Sequence, residues 1–248
     1  MTKTLLITVN VHGLGPEAAE APGAALHGRF AHGGYAYRIG LDRLLETLRR
    51  DAAPATFFWP SSEALRVPAL LERCLREGHE VASHGRAFED HAKLAPAEEA
   101  DILGEARDTL ARLAGTRPTG FRSPTGTLSA ATIGLLRSLD YRYDSSFLDD
   151  DAPYGLDADG GAGMVELPWS EGLTDATHFR RRLTQDRAEA FLTEEFDALL
   201  PVAGYACLTL HPRADIGLAR ASRLPILERL IARARDAGAT LRHCRDLA

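Results

Sequence analysis

Residues 55–85 read ATFFWPSSEALRVPALLERCLREGHEVASHG, and this stretch decides the fold. Ala55–Trp59 is a strand-length apolar run. Residues from Val67 to Glu77 repeat their apolar positions at helical spacing, and Gly78 supplies the stop. A second short strand, Glu80–Ser83, then delivers His84. Strand, helix, strand is the unit of a parallel sheet covered by helices.

The unit recurs in both directions. Leu5–Val9 reads as an earlier strand, followed by a long Gly- and Ala-rich loop and a helix over Leu41–Arg50 with Leu44, Leu45 and Leu48 on one face. Pro96-Ala97-Glu98-Glu99 opens a helix that Gly115 ends, with Pro in the first turn and acids at the positive end of the dipole. Gly120–Arg122, Met164–Leu167 and Ala206–Leu210 read as strands. Helices are expected from Ser129 to Leu139, over Asp186–Leu200, and from Pro225 to about Ala237, and Thr240–Leu241 closes the chain as a strand. With seven or eight such units and no linker, the expected fold is α/β: a deformed, TIM-barrel-related (β/α) barrel formed by one domain over residues 1–248. An open doubly wound sheet is the alternative, but Asn10-Val11-His12-Gly13-Leu14-Gly15 lacks the glycine spacing of a phosphate loop.

Composition narrows the function. The net charge of −6 is spread along the chain, with no basic stripe for a phosphate backbone, so nucleic acid is not an expected partner. The apolar run near the N-terminus turns polar by Asn10, too soon for a signal core or a membrane span, so the expectation is a cytoplasmic protein with no membrane partner. Cys74, Cys207 and Cys244 are isolated and read as buried thiols. The expected partner is a small-molecule substrate, with a homo-oligomer compatible.

Chemistry collects just after the strands, at the edge where barrels build their sites. Asn10 and His12 follow the first strand, Trp59 the second, and His84 the third. Arg122 ends the fourth, Trp169 and Glu171 follow the Met164 strand, and His211 follows Leu210. Trp59, Phe88 and Trp169 are expected to wall a pocket and stack on a flat ring. Alternation along Met164–Leu167 is expected to turn Glu166 into the barrel and Val165 and Leu167 outward. Two imidazoles, His12 and His84, with His91 or Asp90 as third ligand, would suit zinc or another divalent metal; a metal-free site is the other possibility.

These residues also carry a resemblance to the polysaccharide deacetylases, the NodB-like or carbohydrate esterase family 4 proteins. Gly78-His79-Glu80-Val81-Ala82-Ser83-His84-Gly85, Gly120-Phe121-Arg122-Ser123-Pro124, Tyr143-Asp144-Ser145-Ser146 and Leu210-His211-Pro212 resemble four of that family's motifs in order. The resemblance implies that His211 is a general acid tuned by Asp144, that Arg122 orients a catalytic group or a substrate carbonyl, and that Pro124 lies at the substrate. It also implies two aspartates in a first motif, where this chain has Asn10 and His12, and a second metal-binding histidine where it has Phe88. Those departures resemble the allantoinase and cyclic-amide hydrolase branch, as do Leu26-His27-Gly28-Arg29, Gly33–Gly40 and Arg213. The branch implies hydrolysis of a C–N bond in a small amide, cyclic imide or ureide. Metal-dependent de-N-acetylation of an amino sugar or small N-acyl metabolite is the second reading, and a silent binding protein on the same fold is the third.

Overall fold

The computed structural model describes residues 3–20, 27–28, 31–156 and 163–248. Leu26 and Arg29 of the segment named above lie outside them. The sheet is a curled half-barrel. Its strands are β1 (Thr4–Asn10), β2 (Thr56–Trp59), β3 (Glu80–Ser83), β4 (Gly120–Phe121), β5 (Tyr143–Asp144), β6 (Tyr154–Gly155), β7 (Val165–Glu166), β8 (Tyr205–Leu210) and β9 (Thr240–Arg242). They run in the order β6-β7-β5-β4-β3-β2-β1-β8, with β9 beside β1. Every pairing is parallel except β6 with β7. The expected deformed (β/α) barrel is therefore the fold.

Strict two-residue alternation sorts the side chains into layers. Leu5, Ile7 and Val9 of β1, Phe57 and Trp59 of β2, and Ala206, Leu208 and Leu210 of β8 pack outward with Leu44, Leu45 and Leu48 of α2 (Leu41–Arg50) and Leu71 of α4 (Pro68–Arg76). Each fully buried side chain of this size contributes roughly 1.5–3 kcal/mol of transfer free energy. The inner faces carry Leu6, Phe58, Tyr143, Leu167 and Cys207, which form a smaller cluster inside the barrel. At Gly120 the sheet needs an absent side chain, because a Cβ there would stand 1.8 Å from the Tyr143 ring.

Polar groups close one end of the barrel. Tyr143 Oη donates to Glu80 Oε1 (2.9 Å), Thr56 Oγ1 to Glu80 Oε2 (2.8 Å), and the backbone N–H groups of Cys244 and Arg245 donate to Thr56 and Glu80. The three cysteines are buried as expected.

At the other end the segment after β1 arches over the mouth. It contains α1 (Gly15–Glu20), and it is pinned by Gly15 N–H donating to Glu63 Oε1 (3.1 Å) and Leu14 N–H donating to Tyr37 Oη (2.7 Å). Gly33 lies against the Gly13 carbonyl, where a Cβ would be 2.0 Å from the oxygen, so only glycine permits this approach. Arg213 ties the arch to the segment after β8 by gripping Glu17 on α1 and Asp215.

Candidate active site

The strand ends at the arched mouth surround a cavity of about 810 Å³, lined among others by Asn10, His12, Phe88, Arg122, Pro124, Trp169 and His211. These residues, all singled out in the sequence, therefore share one pocket, and Glu171 and Arg213 line it with them. His84 sits directly behind His12, with no exposed surface.

Hydrogen bonds fix the imidazole tautomers. The Arg122 carbonyl can only accept, so His84 Nδ1 carries a proton and donates to it at 2.6 Å. His84 Nε2 is then a lone pair, and the 2.7 Å contact with His12 requires His12 Nε2–H as donor. His12 Nδ1 is left as a bare lone pair, buried and without a protein partner. The rings stack nearly parallel, 4.9 Å apart, and Phe88 meets the His12 ring edge-on at 4.9 Å. Burial first, and then the neighbouring charge of His84, holds His12 well below the usual histidine range; burial takes His84 down to about 3. Both rings are neutral at physiological pH.

His211 extends from the end of β8 into the same pocket. Its Nδ1–H donates to Asp175 Oδ1 at 2.7 Å, and Asp175 Oδ2 accepts from the backbone N–H groups of His211 (2.9 Å) and Leu218 (2.8 Å). The carboxylate fixes the ring's direction and stabilises the imidazolium when it forms, which leaves Nε2 as the working nitrogen. Asp175 opens α7 (Asp175–Arg180) and arrives through the isolated parallel bridge between Thr174 and Thr209. No local signal in the sequence marks it.

Arg122 projects into the barrel and is spent internally. Nε donates to the Ser145 carbonyl (2.8 Å), Nη2 to Ser145 Oγ (2.7 Å), and Nη1 to Thr8 Oγ1 (2.9 Å) and Asn10 Oδ1 (3.0 Å). It therefore orients Asn10, and its donors are engaged by the protein in the free pocket. Its guanidinium also lies 4.2 Å from the Phe58 ring centre.

Four expectations are overturned by geometry. Trp59 does not wall the pocket, because the inward residue of β2 is Phe58 and alternation sends Trp59 into the outer core. Glu166 points opposite to expectation: Val165 and Leu167 pack with the inner cluster, and Glu166 stands beside Asp144 on the other face. Asp144 accordingly does not tune His211; it accepts from Ser146 N–H (3.0 Å) and Ser146 Oγ (2.9 Å). Burial, then the Asp144 charge, pushes Glu166 up to about 11, and burial raises Asp144 as well, so the two carboxyls share a proton. His91 does not join His12 and His84. It is buried against Phe121, with Nδ1 3.0 Å from Glu99 Oε1, in a network completed by Ser129 and Thr132.

The metal expectation fares accordingly. Asp90 is held by Thr127 and Lys93. Among the described residues, three ligand atoms come within 4.8 Å of one another at Glu17, His32 and Asp215, not at His12 and His84. There Arg213 already pairs with both carboxylates. The donor set at the pocket floor does not fit the family's three-ligand metal site.

Comparison with known proteins agrees with the geometry. Residues 35–143 match the family described as Polysaccharide deacetylase. A peptidoglycan deacetylase-like protein of Gibberella zeae is 35% identical over 132 residues, covering 52% of this chain and 39% of its own. The chain spans less than half the length of such curated relatives. A crystal structure of a polysaccharide deacetylase from Mycobacterium smegmatis superposes with a TM-score of 0.90 at 28% identity, over 100% of this chain and 90% of that one. An allantoinase crystal structure gives 0.84 at 24% identity, over 98% and 88%, a likeness of fold. Sheet and site thus define a NodB-type half-barrel with its cavity at the strand ends. Over residues 35–143 in sequence, and over the whole chain in fold, this protein is similar to the polysaccharide deacetylases.

Proposed function

We propose that the protein hydrolyses a C–N bond, and that its substrate is a small amide, cyclic imide or ureide rather than a polymer. The observation that carries this reading is the pocket itself. His12 and His211, with ring centres 5.2 Å apart, meet in a cavity of about 810 Å³ arched over by the segment after β1. That volume lies within the range of roughly 300–1,000 Å³ typical of small-molecule sites. Phe88, Pro124 and Trp169 offer flat apolar walls to a ring.

The chemistry follows from which nitrogens are bare. When water reaches His12 Nδ1, which is closed to solvent in the free pocket, it gives its proton to that lone pair as its oxygen bonds to the carbonyl carbon. The charge formed on His12 is spread through Nε2–H to His84. His211 enters the cycle as the imidazolium, with Nδ1–H on Asp175; as the C–N bond breaks it delivers the Nε2 proton to the leaving nitrogen and is left neutral. Solvent then returns a proton from His12 to His211, so the cycle consumes one water. His12 thereby serves in place of the aspartate base that the family carries.

The test is a pair of substrate panels assayed by mass spectrometry, one of cyclic imides and ureides and one of N-acetylated oligosaccharides. Turnover in the first panel is expected. Turnover confined to the oligosaccharides would overturn the small-substrate reading.

A further inference from the structure

Arg122 is a buried cation with no acid in direct contact, although its charge is felt by Glu166 of the Asp144–Glu166 pair. It is 1% exposed, and its partners are a carbonyl, three hydroxyls, a thiol and the Asn10 amide. No ion pair reaches it among the described residues. Taking a charge this far from water costs several kcal/mol unless its field is answered. Thr8, Ser145, Thr209 and Cys207 are interior neighbours; among the guanidinium's partners Asn10 is the one that lines the pocket, which Arg122 itself borders with 1% of its surface.

The orientation of that amide is not free. A guanidinium has no acceptor, so Asn10 must present Oδ1 to Nη1. Its Nδ2–H₂ is then turned away from Arg122, with no acceptor among the described residues. The adjacent cation polarises the amide and strengthens it as a donor. Of the acids that line the pocket, Glu17 and Asp215 pair with Arg213, and Glu20 and Glu171 line it with Arg180; none of the four contacts Asn10 or Arg122.

We propose that Asn10 is an oxyanion donor and Arg122 the positioning residue that charges it. The proposal deepens the amide-hydrolysis reading and rests on it. When the water oxygen bonds to the carbonyl carbon, the C=O π pair moves onto the carbonyl oxygen, and Asn10 Nδ2–H donates to the resulting oxyanion. The pair returns as the C–N bond breaks. In the family pattern this position carries a carboxylate that takes a proton; with asparagine there, the same scaffold stabilises negative charge instead. Removing one donor of this kind costs about 10²- to 10³-fold in kcat.

Binding tests the polarity without requiring turnover. Methylphosphonate, a tetrahedral anion, and acetamide, its uncharged counterpart, are titrated calorimetrically into the wild type, Asn10→Asp and Asn10→Ala. Asn10→Asp keeps the side-chain shape and can pair with Arg122, so the fold is retained. The wild type is expected to bind methylphosphonate, and both variants to bind it at least about tenfold more weakly because a donor is lost or replaced by a like charge. Acetamide affinity is expected to change by less than about threefold. Equal or tighter methylphosphonate binding by Asn10→Asp, or none by the wild type, overturns the proposal. Intact charge selectivity with no turnover of any amide would instead overturn the hydrolytic reading alone.

Discussion

Acidification should unfold this protein through its buried neutral imidazoles. In the unfolded chain His12 and His84 titrate near 6.5. In the folded chain burial lowers both, His84 to about 3. Between those values the folded chain binds fewer protons than the unfolded one. Stability is therefore full above about pH 6.5 and is lost as pH falls toward the folded values. Holding His84 neutral costs about 1.4 kcal/mol per pH unit below 6.5, or roughly 3 kcal/mol by pH 4.5, and His12 acts in the same direction. That is a large share of the 5–15 kcal/mol typical of a folded domain. The decisive variant is His84→Gln, whose amide can donate to the Arg122 carbonyl and accept from His12 without titrating. Denaturant unfolding from pH 7 to 4.5 should give a shallower loss in the variant, by about 1.4 kcal/mol per pH unit. Carboxylates common to both chains cancel in that difference. Identical slopes would refute the assignment of His84 as a buried neutral group.

Three further outcomes are expected. Asp175→Asn leaves the fold intact but lowers kcat by about 10²- to 10⁴-fold, because His211 loses the group that orients it and stabilises its charge; unchanged steady-state rates would contradict the pairing. Trp59→Ala costs about 3–5 kcal/mol in denaturant unfolding and leaves KM unchanged, as an outer-core side chain should; a raised KM with normal stability would return Trp59 to the pocket. Glu166→Gln removes the proton shared with Asp144. Since the folded carboxyl is raised to about 11, its contribution to stability falls as pH rises above the unfolded carboxyl value, so the variant's relative Tm should climb between pH 5 and 9; parallel Tm curves would argue against a shared proton.

The strand–helix alternation was legible because period two and period 3.6 are local properties. Ala55–Trp59, Leu41–Arg50 and Ala206–Leu210 all fall within a few residues of the elements they announce. Which face a strand end presents was less legible. The short strands β5 and β7, two residues each, carry too little pattern to set their phase, and Glu166 was misdirected for that reason. Trp59 was misplaced because its position beside a strand end said nothing of its parity. Asp175 was invisible because its value lies in a contact 36 residues away, set by the Thr174–Thr209 bridge. Asn10, His12, Arg122 and His211 were found because strand ends converge in a barrel whatever the loops do. Their departures from the family pattern were legible, but the tautomers that give those departures chemical meaning needed the distances.

The most direct test of the account is turnover of the cyclic imide and ureide panel after exhaustive chelation, in the wild type, His12→Ala and His211→Ala. The account predicts that the wild-type rate survives chelation and that each variant loses at least about 10²-fold. A rate that disappears with chelation, returns with zinc, and is indifferent to His12→Ala and His211→Ala would contradict it.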